Sequence, residues 1–236
     1  MLAEKKNVRG MFARIAPFYD ALNHILSFSI DRLWRKRTVR RILEAVETPR
    51  CVLDVCAGTG DLTLLFSERL RDSGALVVGL DFTHPMLEIA RRKTARKKYK
   101  TQPIWLEGDA LCLPFADSMF DVSTMAFGLR NLTDPQTGLR EMARVTHPGG
   151  VVAVLEFHLP RHGVLRWGYY FYLHGILPVL GNVVSGSKAY RYLSRSIAEF
   201  ASPEGVSEWM REAGLREVQR ENIFGRAVVL HWGRVL

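Results

Sequence analysis

The chain has 236 residues, 47% of them hydrophobic and 24% charged, with a formal net charge of +9; this suffices for the full core of one α/β domain. The positive surplus favours anionic partners, either nucleic acid or the negative face of a membrane, without choosing between them. Cys51, Cys56 and Cys112 are odd in number and lack zinc-type spacing, which argues against a disulfide framework and a structural metal site and fits a reducing cytosol.

Residues 1–20 scatter their charges and contain no continuous apolar run, so no secretory signal is expected. The stretch "YDALNHILSFSIDRLW", Tyr19 to Trp34, mixes apolar and polar residues in a way a simple surface helix would not. Phe12, Ile15, Tyr19, Leu22 and Leu26 recur at near-helical spacing on either side of Pro17, which predicts two short amphipathic helices laid over a ligand cleft. In that arrangement Tyr19, Asp20 and Asn23 face the ligand and Trp34 anchors the cover.

From residue 51 onward, short β-rich runs alternate with helical periods: "CVLDV", "ALVVGLD", "PIWLEGD", "FDVSTMAF" and "VVAVLEF", with helices from Asp61, about Pro85 and about Pro135. Such alternation predicts crossover connections and a parallel sheet. A last helix over "PEGVSEWMREAG" precedes "REVQRENI" and "RAVVLHWG", joined by Phe224-Gly225 as a closing antiparallel hairpin. The expected fold is therefore α/β, a doubly wound, mostly parallel, seven-stranded sheet whose last strand is antiparallel. It forms one domain in four parts: a helical lid (1–48), a ligand-binding half (49–159), a helical insertion (160–200) and a closing helix with hairpin (201–236). Within the insertion, the uncharged run Trp167–Ser187 is as long as a spanning helix, but Gly168, His174, Gly175, Pro178, Gly181 and Asn182 interrupt it. A pair of short buried or interfacial helices is the expected form.

The loop in "VLDVCAGTGDLT" puts Asp54 in the first strand and Gly58 and Gly60 in the turn before a helix. Glycines there permit a tight turn and close approach of a ligand to backbone N–H groups. Asp81 ends the next strand, 21 residues beyond Gly60, where a carboxylate can accept from both hydroxyls of a ribose. The third glycine of a dinucleotide loop is missing, and Asp54 and Asp61 would repel a pyrophosphate. The same charges favour S-adenosylmethionine, which carries an ammonium and a sulfonium and no phosphate. Asp109 and Ala110, in "EGDALCLPF" at the end of the third strand, offer an acceptor for the adenine amino group and an apolar wall. The bland alternative makes Asp54 and Asp61 turn and helix caps.

With these residues in view, the chain resembles the class I S-adenosylmethionine methyltransferases, and within them the ubiquinone/menaquinone biosynthesis C-methyltransferases of the UbiE type. The resemblance runs from about Phe12 to the C-terminus and is carried by "YDALNHILSFSIDRLW", "LDVCAGTGDLT", "AFGLRNLTD", "PGGVVAVLEF" and "YRYLSRSI". It implies methyl transfer to a ring carbon of a polyprenylated quinol, demethylmenaquinol or its benzoquinol counterpart. It also implies contacts to S-adenosylmethionine from Thr59, Asp81, Asp109 and Ala110. Three positions depart from the pattern: Ala126 where many members have Ser, Asp31 where they have His, and "EFH" at Glu156 to His158 where E-x-S is usual. Ala126 gives up one hydrogen bond to the cofactor, worth about 1 kcal/mol.

A quinol carbon becomes nucleophilic when the adjacent phenol, of pKa near 10, loses its proton, and the attack then needs alignment and exclusion of water rather than a metal. Arg130, in "GLRN" after the fourth strand, is the candidate to hold the phenolate or a water that takes its proton, with Asn131 orienting it. The alternative for Arg130 is a buried structural pair with Glu156 or Asp134. Tyr190 and Tyr192 are candidates on the acceptor side, and His174 for a base. A prenyl tail lives in a bilayer, so the enzyme is expected in the cytoplasm, in peripheral contact with the anionic inner face of the cell membrane. The aromatic run 163–184 and the basic run 91–100 would make that contact, although a charge run is often only a solvated helix face. A homo-oligomer is compatible with the sequence. A nucleic-acid methyltransferase fits the charge, but "AFGLRNLTDP" lacks the Asn/Asp-Pro-Pro-aromatic arrangement of amino-group methylases, so no nucleic-acid partner is expected. Retention of Arg130 and of the acid set argues against a catalytically silent S-adenosylmethionine-binding scaffold.

Overall fold

The computed structural model describes residues 8–27, 29–159, 187–225 and 227–236, without the side chains of Leu22, Ile25, Leu26 and residues 187–191. Two short helices open the described chain, α1 (Val8–Ile15) and α2 (Tyr19–Leu26). A single turn of 3-10 helix, Ala16–Phe18, joins them and carries Pro17 in its first turn, where a missing N–H costs no helical hydrogen bond. The break at Pro17 is thus the one its ring dictates. Next comes α3 (Asp31–Ala45), and then strands and helices alternate: β1 (Cys51–Val55), α4 (Asp61–Arg69), β2 (Leu76–Asp81), α5 (His84–Ala95), β3 (Ile104–Glu107), β4 (Phe120–Ala126), α6 (Pro135–Val145) and β5 (Thr146–Phe157). After the insertion follow α7 (Ser187–Ala198), α8 (Pro203–Glu212), β6 (Leu215–Phe224) and β7 (Val228–Val235).

The strands form one seven-stranded sheet in the order β3-β2-β1-β4-β5-β7-β6. Neighbours from β3 through β5 are parallel, and β7 runs antiparallel to both β5 and β6. The expected hairpin is present, but the last strand lies inside the sheet and β6 takes the edge. β1, β2, β4 and β5 are buried almost throughout, as strands covered on both faces must be.

Alternate residues of β1 serve opposite faces. Leu53 and Val55 pack with Leu80, Leu139, Met142 and Met210 on one side, whereas Val52 packs with Val77, Phe66, Ile42 and Trp34 on the other. Chain order reverses between β1 and β4, and such a switch point opens a cleft beyond the carboxyl ends of the strands. Trp34, the expected anchor of the cover, belongs to the core of the body: its indole meets Phe127, Phe157 and Phe224 at 6.3, 5.9 and 5.6 Å between ring centres. Among the described residues no helix is long and apolar enough to cross a membrane. The run 163–184 and His174 lie outside those residues.

Candidate active site

A cavity of about 150 Å³ opens at the switch point. Gly58, Asp81, Asp109 and Ala110 line one part of it, and Phe12, Tyr19, Ala126, Phe127 and Asn131 another. The lining comes from the ends of β1, β2, β3 and β4, with α1 and α2 as cover.

The glycine loop owes its path to two left-handed glycines, Gly58 at φ +57° and Gly60 at φ +86°. At Gly60 a Cβ would also lie 2.3 Å from the Trp105 ring, so only glycine lets the loop settle against β3. Asp81 fixes the other side of the loop: its carboxylate accepts the Gly58 N–H at 2.9 Å and the Thr83 N–H at 2.8 Å. Burial raises the Asp81 carboxyl above its ordinary pKa, and those two amides partly offset the rise. Each oxygen keeps a second lone pair for a ligand hydroxyl. The Asp109 carboxylate accepts the Leu111 N–H at 2.9 Å, and Ala110 is 3% exposed beside it.

Asp54, Thr59 and Gly60 are not among the lining residues. Asp54 is buried beneath the loop, where it accepts the hydroxyls of Thr63 at 2.6 Å and Thr124 at 3.3 Å, and burial pushes its carboxyl up to about 7. Thr59 turns its hydroxyl to Asp20 on α2, at 2.5 Å. Asp20 therefore points to the loop, while its neighbour Tyr19 lines the cavity with its phenol pushed up by burial.

Lys93 on α5 completes this contact, its ammonium lying 2.6 Å from Asp20 and 2.7 Å from Asp61. Burial alone would raise the Asp61 carboxyl; Arg35 and Lys93 outweigh it and hold the group below the ordinary carboxylate range. Asp31, at the departure from the family pattern, is buried and accepts from Ser27 at 2.7 Å, from His24 at 3.1 Å and from Arg35. Arg35 also approaches Asp61 at 3.9 Å, so these acids already share two cations.

Arg130 and Asn131 sit in a 3-10 turn, Leu129–Asn131, just past β4. Asn131 lines the cavity; its amide donates to the Phe127 carbonyl at 3.2 Å, and its carbonyl accepts the Tyr192 hydroxyl at 3.1 Å. Arg130 is 7% exposed and outside the lining, with Nη1 at 2.6 Å from Glu156 and 2.7 Å from the Phe127 carbonyl. That is the buried pair with Glu156 weighed above, and Asp134 instead caps α6 by accepting from Thr137. The Nε of Arg130 has no hydrogen-bond partner among the described residues. His158 turns away to a histidine pair with His231, 3.3 Å between Nε2 atoms. The Tyr190 side chain lies outside the described residues. Sequence reasoning missed Lys93, which stands in a charge run that reads as solvated; of the two candidate tyrosines, Tyr192 is the one whose hydroxyl is seen to reach Asn131.

The sequence model of the ubiE/COQ5 methyltransferase family matches residues 1–235. A demethylmenaquinone methyltransferase of Thermus thermophilus is 45% identical over 93% of this chain and 97% of its own. A ubiquinone/menaquinone biosynthesis C-methyltransferase of Geotalea daltonii is 40% identical over 94% of each chain. In fold, the chain is similar to a SAM-dependent methyltransferase of Aquifex aeolicus, with TM-score 0.64 at 19% identity over 92% of this chain and 98% of that one. A glycine loop fixed by an acid at the end of β2, a second acid at the end of β3 and a match along nearly the whole sequence lead to one assignment: the chain belongs to the ubiE/COQ5 methyltransferase family and is an S-adenosylmethionine-dependent methyltransferase.

Proposed function

We propose that this enzyme moves the sulfonium methyl of S-adenosylmethionine to a ring carbon of polyprenylated demethylmenaquinol, giving menaquinol. The observation that carries the reading is the composition of the cavity, with Asp81 and Asp109 in one part and Tyr19, Phe127 and Asn131 in another. The demethylmenaquinone methyltransferase name of the Thermus thermophilus relative supports the naphthoquinol ring.

In this reading Asp81 accepts the ribose hydroxyls, Asp109 receives the adenine amino group against Ala110, and the backbone at Gly58 flanks the methionine part. Asp54, Thr59 and Gly60 act from behind, by holding the loop. The quinol ring lies toward Asn131 and Tyr19. Loss of the phenol proton makes the neighbouring carbon a nucleophile; its C–C bond to the methyl forms as the C–S bond breaks, and the displaced ring proton then leaves to restore the aromatic ring. The Arg130 guanidinium lends positive charge to the phenolate through the Asn131 edge of the cavity, and Tyr190 takes part on the acceptor side by its place in the sequence. The substrate's tail calls for peripheral contact with an anionic membrane surface from the cytoplasm.

Incubation of the purified protein with labelled S-adenosylmethionine and each prenylated quinol, followed by product identification, tests the reading. A C-methylated naphthoquinol is expected; label on oxygen, or on neither ring, rules it out. Asp81→Ala should weaken S-adenosylmethionine binding by about 1.5–3 kcal/mol, the loss of two hydrogen bonds to a carboxylate. Calorimetry showing unchanged affinity in the folded variant removes Asp81 from the cofactor site.

A further inference from the structure

Among the described residues six large apolar side chains stand out in solvent: Phe18, Leu33, Ile104, Met119, Phe224 and Leu236. Three of them share the rim at the carboxyl ends of the parallel strands. Phe18 directly precedes the cavity-lining Tyr19. Leu33 flanks Trp34, which packs on Phe127 and Phe157 just where β4 and β5 end. Phe224 closes β6, which runs the same way as β5, and its ring centre is 5.6 Å from that of Trp34. The other three lie at the opposite rim, Ile104 at the start of β3, Met119 just before β4 and Leu236 just after β7.

What separates the two rims is charge. Leu33 shares the exposed face of α3 with Arg32, Lys36, Arg37, Arg40 and Arg41, of which the last three form ion pairs with Glu44 or Glu221. Arg32 and Lys36, nearest the rim, take part in no ion pair among the described residues. The basic run 91–100, by contrast, is partly spent within the fold: Arg91 pairs with Glu88, Lys93 with Asp20 and Asp61, and Lys97 with Glu68. Because α5 runs antiparallel to the strands, residues 96–100 lead to the amino end of β3, away from the cavity.

We propose that the rim formed by Phe18, Leu33, Phe224, Arg32 and Lys36 is the surface on which the enzyme rests on an anionic bilayer. Apolar side chains enter the headgroup boundary while Arg and Lys hold anionic headgroups, the pairing an interfacial element needs. A bilayer at this rim meets the end of the molecule that carries the cavity, so a prenylated ring reaches Asn131 and Tyr19 while its tail stays in lipid. The choice of a lipid occupant rests on the quinol reading above.

Flotation with vesicles of phosphatidylcholine, alone or mixed with phosphatidylglycerol, tests the surface. The wild-type protein is expected on the mixed vesicles, and Arg32→Glu with Lys36→Glu should cut its partitioning by about tenfold or more. Leu33→Ser with Phe224→Ser should do the same. Leu33→Ser alone, at a position 62% exposed, keeps the test readable if the Phe224 change unfolds the hairpin. Lys98→Glu with Lys100→Glu should float as wild type. All rim variants should methylate a short-chain, water-soluble quinol at the wild-type rate. Rim variants that float normally overturn the assignment, as does loss of binding in the 98/100 variant alone. Sedimentation showing a dimer that Leu33→Ser dissociates, with vesicle binding intact, would make the rim a contact between copies and likewise overturns it. Failure of the wild type to methylate the soluble quinol counts against the quinol reading, while flotation still decides the rim.

Discussion

Arg130 and Glu156 are both hidden from solvent and lie 2.6 Å apart, so truncating either one alone confounds catalysis with folding. Arg130→Ala leaves a carboxylate buried without its cation, which costs about 3–5 kcal/mol, and any lost activity could be that loss alone. The double variant Arg130→Gln with Glu156→Gln removes both charges and strands neither. If the guanidinium stabilises the phenolate, this variant should keep its melting temperature and cofactor affinity and slow single-turnover methyl transfer by about 10²–10³. Transfer at the wild-type rate would confine Arg130 to a structural part. Asp81 and Asp109 were legible as acids at the mouth of the cleft because one ends β2 and the other follows β3, strands that the hydropathy pattern marks, and both line the cavity. Asp54 was legible as an acid in β1 but not as one buried beneath the loop. Its direction follows from Thr63 and Thr124, which come from α4 and from β4, 70 residues away, and no local pattern encodes that distance.

At the scale of elements, polar ties hold the cover α1–α2 to the body, and of these Asp20 to Thr59 and Lys93 touches the glycine loop itself. A second tie, Arg9 to Glu107 at 2.5 Å, holds α1 to the end of β3. The two helices and their break were readable from spacing and Pro17. The latch was not, because Lys93 and Asp20 belong to segments separated by two strands, and a lysine in a basic run gives no sign of an acid that folding brings to it. Lys93→Ala should leave Asp20 without its cation and Asp61 with Arg35 alone, and loosen the cover. The three groups are about one-quarter exposed, so screening limits the effect to about 1 kcal/mol. We expect S-adenosylhomocysteine to dissociate about fivefold faster, trypsin to cut sooner at Arg14, and Lys93→Arg to restore part of both. Raised salt should speed dissociation from the wild type and not from Lys93→Ala. Wild-type dissociation and cleavage rates in Lys93→Ala would show that the cover is held by its apolar face instead.

Over the whole molecule, buried titratable groups couple the fold to pH in opposite senses. His231 on β7 meets the Ser207 hydroxyl at 3.2 Å and His158 at 3.3 Å, and His158 meets the Ala201 carbonyl at 3.1 Å. With both rings neutral, His158 donates to the carbonyl and accepts from His231, which in turn accepts from Ser207; the one proton of that hydroxyl is shared with the Pro203 carbonyl, 3.1 Å away. Burial pushes His231 down to about 3 and His158 in the same direction. An unfolded histidine binds its proton near pH 6.5 and the native ring does not. The contribution to stability is therefore full above 6.5 and falls on acidification, by about 1.4 kcal/mol per pH unit for His231, with His158 adding in the same direction. Asp54 runs the other way. Its native carboxyl keeps a proton up to about pH 7 that the unfolded chain releases near 3.8, so its contribution is full below 3.8 and is lost as pH rises through about 7. Between these limits Asp54 and one histidine offset each other. His231→Gln, which keeps a donor and an acceptor but does not titrate, should therefore flatten the loss of stability between pH 6.5 and 5 by about 1.4 kcal/mol per unit relative to wild type, and run parallel to it above pH 7. Asp54→Asn, an uncharged mimic of the protonated acid, should steepen the same loss. Urea unfolding of the three proteins across that range measures both slopes. If all three run parallel from pH 5 to 8, the histidine pair and Asp54 titrate in the folded protein as they do in water, and the buried chain from Ser207 to Ala201 does not exclude protons.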